Sequence, residues 1–137
     1  MLLQASCVAI DGWALLILGP PGSGKSSLAL ALIDRGAVLV GDDGVTLTAR
    51  DGRLFASPPP NTAGLIELRN VGLVTYPTAI EVPIALALDL DPQAPRFIEA
   101  AERVTLLGID IPKVRLWPDS PVLAQRAEAA LTKYGHS

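Results

Sequence analysis

Gly19-Pro20-Pro21-Gly22-Ser23-Gly24-Lys25-Ser26 fills every fixed position of the phosphate-loop pattern G-x-x-x-x-G-K-[ST]. In such a loop, successive backbone N–H groups form a concave anion site, and the helix that follows adds the positive end of its dipole. The lysine reaches the β- and γ-phosphates, and the hydroxyl at the last position ligates Mg²⁺. The pattern carries this meaning only between a strand and a helix, and both are legible beside it. Trp13-Ala14-Leu15-Leu16-Ile17-Leu18 is a short apolar run that predicts a buried strand. Ser26 to Arg35 predicts a helix, with Gly36 placed to cap its end. Gly19 to Ser27 is therefore the expected nucleotide-binding segment.

Ahead of the loop, Cys7-Val8-Ala9-Ile10 and the Asp11-Gly12 turn predict a strand entering Trp13–Leu18. After the helix, Ala37-Val38-Leu39-Val40 is a third compact strand signal, ending at Gly41-Asp42-Asp43. Val45–Thr48 and Leu54–Ala56 flank Asp51-Gly52, a hairpin signal. Pro58-Pro59-Pro60 requires a loop. Leu65–Arg69 reads equally as a short helix or an extended segment. Ile84–Leu90 predicts a central strand, Asp91–Glu102 a proline-bearing turn with a short helical stretch, and Val104–Leu107 and Val114–Trp117 two further strands. A terminal helix opens after Ser120-Pro121 and ends at Gly135. Hairpins stand where a regular βαβα alternation would need helices, so the predicted fold is α/β with a mixed sheet, in one phosphate-loop domain over residues 1–137.

The 137 residues are half apolar, 18% charged, and carry a net charge of −3. A folded core is expected and a nucleic-acid-binding surface is not. No stretch approaches the roughly 20 apolar residues of a membrane span, so a cytoplasmic protein with no membrane partner is expected. The single cysteine, Cys7, excludes an intrachain disulfide and lies in an apolar run, as a buried structural thiol does. The single histidine, His136, is penultimate and expected to be frayed. His-dependent nucleophilic triads and most zinc sites are thereby excluded.

Phosphoryl transfer needs metal ligands and a group that takes the proton of the attacking oxygen. Asp42-Asp43 follows the strand after the loop helix, and ligands gather at the carboxyl ends of strands in open α/β sheets. One carboxylate could hold Mg²⁺ and the other act as base; a polar Gly-Asp-Asp-Gly turn accounts for the same residues. Glu67 and Arg69, two apart, would share a face of an extended segment. Glu67 could complete a metal site and Arg69 neutralise phosphate charge, although a surface ion pair is the simpler account of the two alone.

Taken together, these segments resemble the C-terminal catalytic domain of the HPr kinase/phosphorylase family. The resemblance rests on Gly19–Ser26, on Leu32-Ile33-Asp34-Arg35-Gly36 and Val38-Leu39-Val40-Gly41-Asp42-Asp43, and on Leu65-Ile66-Glu67-Leu68-Arg69-Asn70-Val71-Gly72. It implies an HPr kinase/PEP carboxykinase-like fold and an ATP- and Mg²⁺-dependent kinase acting on a serine of the phosphocarrier HPr, with phosphorolysis as the reverse reaction. By the same resemblance, Lys25 and the loop hold ATP, and Ser26, Asp43 and Glu67 hold Mg²⁺. Asp42 is the base, Lys25 and Arg69 support the transferred phosphate, and the chains associate, commonly as hexamers. Four features depart from the family pattern: Ser6 where it has a histidine, Pro20-Pro21 in the loop, Ser27 in the helix, and a short segment after Tyr76. With no N-terminal regulatory domain expected, the pattern resembles the truncated form of α-proteobacteria. Two other readings compete. A small-molecule kinase needs an arginine-bearing lid, for which Arg96 and Arg103 are the candidates; a non-catalytic sensor would bind ATP and transfer nothing.

Overall fold

The computed structural model describes residues 1–136. Its elements are β1 (Leu2–Leu3), β2 (Ser6–Ile10), β3 (Trp13–Leu18), α1 (Lys25–Asp34), β4 (Val38–Gly41), β5 (Val45–Arg50), β6 (Arg53–Ser57), β7 (Leu65–Leu68), β8 (Gly72–Thr75), β9 (Val82–Leu90), β10 (Glu102–Leu106), β11 (Ile109–Leu116) and α2 (Leu123–Tyr134).

Nine strands form one curled mixed sheet in the order β1-β5-β6-β9-β3-β2-β4, with the β10–β11 hairpin joining β9 through β11. β3, β9 and β11 run parallel, and the other pairings are antiparallel. A strand covered on both faces reads as a continuous apolar run, and β3 and β9 do so. On one face, Val8, Leu15, Ile17, Leu86 and Leu88 pack against Leu28, Ala29 and Leu32 of α1 and Ala124, Ala127 and Ala130 of α2. On the other, Cys7, Ala14, Leu16 and Ala87 meet Val45, Leu47, Leu54 and Ala56 of the hairpin that curls over them.

The expected strands and both helices are present. Gly36, at φ 108°, ends α1 as predicted: its N–H donates to Ile33 O, and that of Ala37 to Leu32 O. Asp51 and Gly52 both take positive φ, so the turn twists with the strands it joins. Leu65–Leu68 is a strand, paired with β8 through a turn in which Asn70 and Gly72 take positive φ.

Three expectations need correction. Asp91–Glu102 contains no helix: Asp91 Oδ1 accepts from the N–H of Gln93, and Ala94 N–H donates to Asp91 O, so turns closed around Pro92 replace it. Helix α2 starts at Leu123 rather than directly after Ser120, whose Oγ accepts from Val122 N–H ahead of the first turn. His136 is held rather than frayed, its N–H donating to Ala85 O and its ring Nε2 facing Arg103 at 3.2 Å.

Candidate active site

β3 delivers the loop to the carboxyl end of the parallel strands, where Leu18 pairs with Asp89. Gly19 is required there, since a Cβ on it would meet Ser23 Oγ at 2.5 Å. Gly24 takes left-handed φ of 101° at the N-cap of α1 and brings no capping side chain. The first helical bond is Leu28 N–H to Gly24 O, so N–H groups of the opening turn have no intrahelical acceptor. Ser23 Oγ is buried and has no hydrogen-bond partner among the described residues. Leaving such a hydroxyl unpaired costs about 1–3 kcal/mol, and an anionic oxygen in the loop would satisfy it. Lys25 folds back over the loop and donates from Nζ to Gly19 O (2.8 Å) and Pro20 O (3.0 Å). Backbone donors, an orphaned hydroxyl and an ammonium thus lie together on one loop, and that set fits a polyphosphate.

The carboxylate comes from β4. β2 lies between β3 and β4, with Cys7 opposite Gly41, and this pairing brings Asp42 beside the loop helix. Asp42 Oδ1 accepts from Ser26 Oγ at 2.7 Å and from Ser6 Oγ at 2.9 Å. Ser6 is wholly buried, the sole polar side chain so placed among the described residues. Both hydroxyl protons go to Oδ1, which leaves Oδ2 for another proton. Ser26 Oγ, having donated, keeps its lone pairs for a cation.

Gly41-Asp42-Asp43-Gly44 is a tight bend, and it sets the Asp42 carboxylate beside Ser26. A Cβ on Gly41 would lie 2.1 Å from Gly44 O, and Gly44 packs on Pro59 of the proline loop. Asp43 takes φ 58° and is exposed. Its side chain makes no hydrogen bond or ion pair among the described residues. Glu67 and Arg69 are exposed on and beside β7, in a two-stranded sheet separate from the main one. That hairpin is tethered to β4: Tyr76 N–H donates to Gly64 O, Thr78 bridges Leu39, and Ala79 N–H donates to Leu39 O.

The chain therefore brings Ser6, Ser26 and Asp42 into contact beside Lys25 and the loop. It leaves Asp43, Glu67 and Arg69 apart from that network. Among the described residues, no three His, Cys, Asp or Glu side chains converge to hold a metal. Mg²⁺ is ordinarily held by one or two carboxylates together with substrate phosphates and water, so it needs no protein cage, and Ser26 Oγ at the start of α1 is the ligand that this contact network offers it. Ser6 is the residue that sequence reasoning passed over as a functional group. Its signal is a lone hydroxyl at the head of an apolar strand, and its partner appears only with the β2–β4 pairing. Cys7 beside it is fully buried, which pushes its thiol well above the ordinary range and makes it no nucleophile.

Residues 1–131 match the family model described as HPr serine kinase C-terminal domain. The chain is 33% identical to an HPr kinase/phosphorylase of Clostridium beijerinckii over 98% of its own length and 49% of that protein. It is 41% identical to one of Clostridium tetani over 56% of the chain and 25% of that protein. The chain thus spans half or less of these relatives. The structure of the HPr(Ser) kinase/phosphatase from Coxiella burnetii superposes with a TM-score of 0.85 at 27% identity, over 96% of this chain and 94% of that one.

Proposed function

Because the chain belongs to the HPr serine kinase C-terminal domain family, we propose that it transfers the γ-phosphate of ATP to a serine of HPr or an HPr-like phosphocarrier. The carrying observation is the Ser26–Asp42–Ser6 contact at the phosphate loop. The loop N–H groups, Ser23 Oγ and Lys25 hold the polyphosphate. Asp42 Oδ2 takes the proton of the substrate serine as that oxygen bonds to the γ-phosphorus and the bond to the β–γ bridging oxygen breaks, releasing ADP. In phosphorolysis, an oxygen of inorganic phosphate bonds to the phosphorus of phosphoserine as the serine O–P bond breaks; Asp42 gives its proton to the serine oxygen, and pyrophosphate is released.

Mg²⁺, when bound, neutralises charge developing on the phosphates. Ser26 would hold it, with Asp43 and Glu67 as the proposed further ligands and Arg69 beside the transferred phosphate. What supports Glu67 and Arg69 is the tether of their hairpin to β4, the strand that carries Asp42. We read residues 1–137 as one phosphate-loop domain. No helix among the described residues is long and apolar enough to cross a membrane.

The test is transfer of labelled γ-phosphate from ATP to purified HPr. Asp42→Asn should slow it by about 10²–10⁴-fold, with ATP still bound. Equal rates would remove Asp42 from the role of base, and no transfer by the wild type to any phosphocarrier would favour the sensor reading.

A further inference from the structure

A concavity opens at the carboxyl end of β11, the strand that pairs with β9. Its volume is about 310 Å³, and it is lined by Ala94, Arg96, Arg115, Trp117 and Arg126 among others. Arg115 is neutralised by Glu102 (2.7 Å) and Asp91 (3.4 Å). Arg96 and Arg126 enter no ion pair among the described residues. Trp117 is held by its indole N–H, which donates to Ala94 O at 2.6 Å, and it is 39% exposed, so one part of the ring is pinned and another open. The guanidinium of Arg126 lies over the ring, 5.8 Å from its centroid.

The sheet order says what such a cleft would meet. β3, which delivers the loop, stands between β2–β4 on one side and β9–β11 on the other. Asp42 follows β4, so the end of a nucleotide that reacts must point toward β4. The other end must then leave the loop toward the carboxyl ends of β9 and β11. Trp117 follows β11, and Ala94 and Arg96 follow β9. The two ends of one bound nucleotide are thereby assigned to opposite flanks of β3.

We infer that the Trp117 cleft is the nucleoside subsite of the phosphate loop: the exposed part of the indole and the Arg126 guanidinium take the base, and Arg96 lies toward the ribose and α-phosphate. This rests on the loop's binding a nucleoside triphosphate, as proposed above. Stacking on aromatic and guanidinium planes tolerates any base, so the cleft supplies affinity for a nucleoside rather than selection among bases.

Binding of ATP and of inorganic tripolyphosphate, each with Mg²⁺, separates the two parts. In a Trp13→Phe background, Trp117 is the only tryptophan. Its fluorescence should be quenched by ATP and unaffected by tripolyphosphate. Trp117→Ala should weaken ATP binding about 10–100-fold and leave tripolyphosphate within about twofold, which also shows the variant folded. Trp117→Phe should restore most of the loss. Unchanged ATP affinity in Trp117→Ala overturns the subsite while leaving the loop's role intact. An equal loss for both ligands overturns it in favour of a plain anion pocket. If the wild type binds neither ligand, the phosphate-loop reading fails, and the subsite with it.

Discussion

Ser6 Oγ donates to Asp42 Oδ1 at 2.9 Å, joining residues 36 positions apart in the chain. With Ser26 on the same oxygen, the contact fixes the carboxylate's rotation and turns Oδ2 away from both hydroxyls. Ser6 is in this sense a positioning residue. Its removal should be felt in turnover rather than in binding.

Ser6→Ala removes one donor from Asp42 and leaves the carboxylate freer to rotate. We expect kcat for transfer to HPr to fall several-fold to about tenfold with KM for ATP nearly unchanged, and stability to fall by about 1.5–3 kcal/mol, as for a lost bond to a charged group. Steady-state kinetics and urea denaturation check both. Ser6→Thr, which keeps a hydroxyl, should recover kcat if it packs.

Gly41→Ala places a methyl group where Gly44 O lies 2.1 Å away. The turn must open, and Asp42 moves with it. A loss of about 2 kcal/mol or more is expected for such a backbone clash, together with loss of transfer. Gly52→Ala is the control: no atom lies within 4 Å of its added Cβ, so it should cost only the strain of its positive φ, about 1–2 kcal/mol, and leave transfer unchanged.

Glu67→Gln distinguishes a metal ligand from a surface carboxylate. As a ligand, its loss should raise the Mg²⁺ concentration needed for half-maximal transfer by about tenfold, with the plateau rate reduced less. An unchanged Mg²⁺ titration would remove Glu67 from the metal site.

Burial pushes the Cys7 thiol up. The native state therefore keeps its proton while the unfolded chain loses it above about pH 8.5. The group's contribution is fully present below that pH and declines above it, by up to about 1.4 kcal/mol per pH unit. Urea midpoints should fall more steeply between pH 8.5 and 10 for the wild type than for Cys7→Ala. Ellman's reagent should react with Cys7 only on unfolding.

Local signals carried much of the fold. The run from Trp13 through Asp43 set out strand, loop, helix and strand in order, and Asp51-Gly52 announced its hairpin, because apolar periodicity and turn chemistry act over a few residues. Leu65–Arg69 was ambiguous because its four-residue strand has no period long enough to read, and its turn depends on positive φ at Asn70 rather than on an Asn-Gly pair. The helical stretch expected between Asp91 and Glu102 lost to an Asx turn at Asp91 and the prolines around it. The site divides in the same way. The loop and the Asp42-Asp43 pair are contiguous and could be found by pattern. The Ser6–Asp42 contact depends on which strand lies between β3 and β4, and no local signal encodes that.

β9 pairs with β3 on one edge and with β6 and β11 on the other, so the strand that carries the phosphate loop gains its parallel neighbour from residues some seventy positions downstream. Such distant pairing makes folding slow relative to domains built from local contacts. During synthesis, the β2–β3 hairpin and α1 emerge long before Val82–Leu90. Until that strand arrives, Leu15 and Ile17 lack one flank of their core, and the loop has no rigid base. A nascent chain stopped before Val82 should accordingly be prone to self-association and unable to retain ATP, although every residue of the nucleotide motif has already been made.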